Sequence, residues 1–171
     1  MAVNTAQVSG RRKLHFADFS QLLADVDYVT KHSCRTLGNW SVGQILDHLA
    51  VAANSPFDGF GGFKASWFTR HLIIPFIKNN LLTKPMAAGF QIPAEAAAMF
   101  PQPDATPQVG SVKLKQALAR FSTELPKFPH PVLGELAFQE WVAVTLRHAE
   151  LHLSFIVPSE IPAPALAAAG N

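Results

Sequence analysis

Apolar residues recur at helical spacing in four stretches of the chain. Between Leu136 and Val157, at ~100° per residue, Phe138, Trp141, Val144, Thr145, His148, Leu151, His152 and Phe155 share one face. Glu140, Ala143, Arg147 and Glu150 fall on the opposite face, which is expected to be wet. Phe19, Leu22, Leu23, Val26 and Val29 predict a first helix over 19–32. Asp18 precedes it with Gln21 three residues later, the form of a capping box. Ser41 and Gln44 make a second and better box. It opens a second helix whose stripe is Val42, Ile45, Leu46, Leu49, Ala53 and Phe57. Val112, Leu114, Leu118, Phe121 and Leu125 predict a third, capped by Ser111 and stopped by Pro126.

Glycine and proline punctuate the rest. Gly38 and Asn39 mark a turn, and Gly59, Gly61 and Gly62 break the chain. Trp67 to Lys78 predicts a short helix that Pro75 bends or ends. Pro85, Pro93, Pro101, Pro103 and Pro107 then crowd a long connection, periodic only in a short turn over 94–100. A connection of this length is either a lid over a site or a cover for one end of the domain. No strand pattern is found, so the expected fold is all-α, a four-helix bundle over 15–157. Residues 1–14 are expected as a flexible N-terminal arm and 158–171 as an Ala/Pro-rich tail. Because the connection is long, the second and third helices need not be neighbours, and the final helix is free to pack beside the second.

That arrangement brings three histidines together. His148 and His152 are four residues apart and point inward from the most apolar part of their helix. A lone buried histidine is satisfied by a backbone hydrogen bond. An inward i,i+4 pair needs two partners, and one metal ion serves both. His48 lies at the edge of the second helix's stripe, well inside that helix. The expected metal ligands are therefore His48, His148 and His152, and Ser55, Asp58, Trp141 and Thr145 are expected to line the pocket. No catalytic side chain is assigned. The order His-Ala-Glu-Leu-His is not a zincin motif, because Glu150 lies roughly 200° round the helix from His148. His15, His32, His71 and His130 are expected to be structural or exposed, with His130 a rigid turn residue between two prolines.

Composition removes other classes. In 171 residues only 15% are charged and the formal net charge is +2, which gives no basic footprint for nucleic acid. The triplet Arg11, Arg12, Lys13 is expected to be a solvated N-terminal tip. No apolar region follows it, so it is not a twin-arginine signal. The run Leu72–Ile77 is too short for a membrane span. Cys34 is the only cysteine, which excludes an internal disulfide and suits a cytoplasmic location.

The combination of Gly38-Asn39-Trp40-Ser41, Gln44-Ile-Leu-Asp-His48-Leu and His148-x-x-x-His152 resembles the DinB/YfiT-like superfamily. With His130-Pro131, Gly134 and Glu140-Trp141, the chain looks most like a subfamily of unknown function within it. The resemblance covers roughly residues 11–157 and departs from the family in the proline-rich connection. It implies a DinB-like four-helix bundle, a divalent metal, zinc or nickel, on the three histidines, and a homodimer. It also implies a small-molecule substrate and activity as a hydrolase or as a transferase using a low-molecular-weight thiol. The alternative expectation is a non-catalytic binding or stress-response module with a structural or vestigial metal.

Overall fold

Three of the described α-helices begin where a side chain satisfies a backbone N–H that the first turn leaves unpaired. The computed structural model describes residues 2–62, 74–90 and 94–159. Asp18 accepts from the Gln21 N–H at the start of α1 (Phe19–Lys31), and Gln21 reaches back to the Ala17 N–H, one residue before the cap. Ser41 and Gln44 form the full reciprocal box at α2 (Val42–Asp58). Helix α4 (Pro107–Ala119) starts earlier than the sequence predicts. Its cap is Thr106, with Pro107 in the first turn, and Ser111 is buried inside the helix. Helix α5 (Phe138–Leu153) begins with the Ala137 N–H on Glu140, whose carboxylate also pairs with Lys78.

Between α2 and α4 lies α3 (Ile74–Thr83), which runs beyond the expected end at Lys78, so Pro75 does not end it. The earlier part of that expected helix, 67–73 with His71, lies outside the described residues. A 3₁₀ stretch, Ala94–Met99, occupies the predicted short turn.

The protein is mostly helical, in line with the all-α expectation, but it carries a small sheet that the pattern did not predict. β1 (Cys34–Thr36) pairs antiparallel with β2 (Ile156–Pro158), Arg35 opposite Val157. The final helix therefore ends at Leu153, short of the expected Val157, and the chain leaves as a strand. Ile156 and Val157 read equally well as helix or strand, and pairing with a distant segment decides. Of the expected tail, residues 160–171 lie outside the described residues.

The main core takes Leu22, Val26 and Val29 from α1, Ile45, Leu46, Leu49 and Ala53 from α2, Leu114, Ala117 and Leu118 from α4, and Leu146, Ala149 and Leu153 from α5. Helix α2 packs most extensively against α4 and also touches α5. Two glycines allow the first approach. A Cβ at Gly43 would collide with the Ala105 carbonyl, and one at Gly110 would lie 2.8 Å from the Leu46 Cβ and 2.9 Å from the Gly43 carbonyl oxygen. The second and third predicted helices are thus close neighbours despite the long connection.

The face of α5 expected to be wet is covered instead. Arg147 and Glu150 are 5% and 4% exposed and pair at 2.7 Å. Glu150 accepts the Phe16 N–H at 2.6 Å, and Arg147 donates to the Phe16 carbonyl at 2.7 Å and to His15 Nδ1 at 2.9 Å. The basic triplet contributes to the same attachment. Arg12 makes a bidentate pair with Asp25 and donates to the Leu153 carbonyl, while Arg11 lies over the Phe155 ring. Further toward the N-terminus, in the segment expected as an arm, Val3 exchanges two hydrogen bonds with the Asn39 side chain.

Candidate metal centre

Helical spacing places His148 and His152 one above the other on α5, and His48 faces them from α2. One ligand atom from each of the three histidines lies within 4.8 Å of the others. His48 Nε2 is 3.3 Å from His148 Nε2. Two nitrogens bound tetrahedrally to one ion at ~2.0–2.1 Å stand ~3.3 Å apart, so this pair has the spacing of a coordination edge. Among the described residues no other His, Cys, Asp or Glu joins the group.

His48 is buried, and its ring orientation is fixed. Its Nδ1 lies 2.7 Å from the Met99 carbonyl oxygen, which can only accept, so Nδ1 carries the proton and Nε2 keeps its lone pair. Trp40 forms one wall, tilted against His48 at 4.8 Å and stacked on His152 at 5.6 Å between ring centroids. Burial lowers the pKa of all three imidazoles, His148 to about 3 and His152 well below 6.5. The rings are neutral at pH 7, which is the ligating form. The donor set, its spacing and its protonation fit a divalent transition metal, and neutral imidazoles would leave the ion its full charge.

The residues predicted to line the pocket are spread along the two helices. Ser55 is buried, donates to the Val51 carbonyl and lies 3.6 Å from Met99 Sδ. Thr145 sits between Trp141 and His148 on α5 and donates to the Trp141 carbonyl. Trp141 is buried against Phe60 and His130, ring centroids 6.2 and 5.6 Å away. Asp58 is not brought to the histidines. It is exposed near the end of α2, ~15 Å along the helix from His48, and is bound bidentately by Arg120.

Sequence reasoning missed two participants. Trp40 had a usable signal, since an apolar residue just before a helix cap packs back onto that helix. Met99 had none, because its contribution is a backbone carbonyl delivered by a loop. His130 is a turn residue as expected, bridged to Gly134, with Nδ1 accepting from the Val132 and Leu133 N–H groups. Burial lowers its pKa to about 4. His32 is exposed and stacks on Tyr28, and His15 is 71% exposed. Burial raises the Cys34 thiol, the opposite of an activated nucleophile. Among the described residues no helix is long and apolar enough to cross a membrane.

No curated protein and no solved structure matches the chain. A family of proteins of unknown function, DUF1569, matches residues 8–159, a span that holds the three histidines, Trp40 and the whole Met99 connection. The chain belongs to the DUF1569 family.

Proposed function

We propose that this protein is a metal-dependent enzyme of the DinB/YfiT-like superfamily, a hydrolase or a thiol-dependent transferase. On this reading it is a DinB-like four-helix bundle and a cytoplasmic homodimer acting on a small molecule, with zinc or nickel on His48, His148 and His152. The observation that carries the reading is the convergence of three neutral imidazoles with no fourth protein ligand among the described residues. A closed structural site would use four. When bound, a divalent ion with open positions supplies Lewis acidity and favours loss of a proton from water or a thiol near neutral pH.

The chain's own residues hold and shield that point. Met99 fixes the His48 tautomer, and Trp40 excludes water from one side. The hydroxyls of Ser55 and Thr145 are committed to carbonyls of their own helices, so neither is a free proton donor. Proton transfer on this reading falls to bound water or to the substrate.

One observation favours the non-catalytic alternative. An open groove of about 580 Å³ runs along α2 and α4 past Asp47, Asn54, Gln102, Lys113 and Arg120, and it contains none of the three histidines. His152→Ala separates the readings. The enzyme reading expects a mutant that stays folded, loses metal and loses thiol-transfer or hydrolase activity. Loss of both metal and fold would make the metal structural. Inactivity of metal-loaded wild type across broad substrate panels would favour the binding module.

A further inference from the structure

The strongest feature outside the three ligands is the way the proline-rich connection seats on α2. Two adjacent helix residues hold one short piece of it. His48 Nδ1 donates to the Met99 carbonyl at 2.7 Å, and Asp47 Oδ2 accepts the Gln102 N–H at 2.8 Å. Consecutive helical residues project ~100° apart, so His48 faces α5 while Asp47 faces the α4 side. The strap 99–102 runs between these two attachments, and its own Pro101 is buried. Asp47 is itself only 1% exposed, and both its oxygens are engaged, Oδ1 with Lys113 Nζ at 2.6 Å. A buried carboxylate needs such partners, and here one partner is the backbone of the segment that orients a ligand ring.

We propose that Asp47 is a positioning residue of the metal centre. Held by Lys113, it anchors the strap 99–102 through the Gln102 N–H. The Met99 carbonyl is thereby kept on His48 Nδ1, and Nε2 faces His148 and His152 as a lone pair. The strap 99–102 is on this account a backing for the His48 ring, neither a mobile lid nor a surface cover. The inference rests on the metal-centre reading for its purpose, but the tautomer it specifies exists in metal-free protein.

The test uses ¹⁵N-labelled, metal-stripped full chain, with ring tautomers read by long-range ¹⁵N–¹H correlation, alongside cobalt(II) titration followed by visible absorption. Wild type is expected to show His48 protonated at Nδ1. Asp47→Ala is expected to lose that single tautomer and to bind cobalt about 10–100-fold more weakly, the range typical of lost outer-shell partners. Asp47→Asn keeps an oxygen for the Gln102 N–H and is expected to restore both signals. Should Asp47→Ala fail to fold, Gln102→Pro removes that N–H at an exposed residue and is expected to shift the tautomer alike. A wild-type His48 protonated at Nε2 overturns the proposal. So does a folded Asp47→Ala or Gln102→Pro with unchanged tautomer and unchanged cobalt affinity. If wild type binds no cobalt but the variants still lose the tautomer, the positioning role stands and the metal reading falls.

Discussion

Acidification of the metal-free protein is the sharpest test of the desolvated histidines. His130 and His148 have folded pKa values of about 4 and about 3, both lowered by burial from 6.5. His48 and His152 are lowered for the same reason. Because the folded values lie below the unfolded one, the stability these groups allow is whole above ~6.5 and is lost as pH falls toward the folded values. At pH 5.5 an unfolded histidine is ~90% protonated while these rings stay neutral in the fold. Going from pH 7 to pH 5.5 therefore costs ~1 kcal/mol for each such histidine, and ~2 kcal/mol for His130 and His148 together. His48 and His152 add in the same direction.

The carboxylates whose pKa values are lowered, among them Asp58, Glu124 and Glu140, start from 3.8 or 4.5, so their loss of stability lies mainly below this window. Urea unfolding of chelator-treated protein between pH 7 and 5 measures the effect. The slope of unfolding free energy against pH gives the protons gained on unfolding, and His148→Gln should lower it by about one. A stability that is flat or rises as pH falls from 7 to 5.5 would refute the neutrality of these rings in the fold.

Three further outcomes are expected. Ser41→Ala should destabilise the protein by ~1 kcal/mol in a thermal or urea melt through loss of the α2 cap, with metal affinity unchanged because His48 lies downstream. Gly110→Ala should cost roughly 1–3 kcal/mol, since its Cβ would press on Leu46 and the Gly43 carbonyl; an unchanged melting temperature would mean that α4 stands off from α2. Arg147→Ala should be among the most damaging substitutions, costing ~3–5 kcal/mol by leaving Glu150 buried without its cation, and hydrogen exchange should show residues 12–16 released first. A mild Arg147→Ala would mean that this face of α5 is solvated after all.

The helices and the pairing of His148 with His152 were legible in the residues because both are set within a few positions of the chain. A capping box joins groups three apart, and an inward i,i+4 pair follows from helical period alone. What the pattern misplaced depends on partners far away in sequence. Arg147 and Glu150 look like a wet face until the Phe16 backbone lies across them and hydrogen-bonds to both. Ile156 and Val157 continue a helical stripe until Cys34–Thr36 offers them a strand. The closeness of α2 and α4 turns on Gly43 and Gly110, residues that leave no mark in a hydrophobic pattern. The orientation of His48 is set by the Met99 carbonyl, a group every residue carries and no sequence distinguishes. Periodicity thus determined which faces are apolar and which residue types sit on them. Only the tertiary structure decided which polar groups are buried and which atoms meet, because a buried charge or ring nitrogen is tolerated only where the fold delivers its partner.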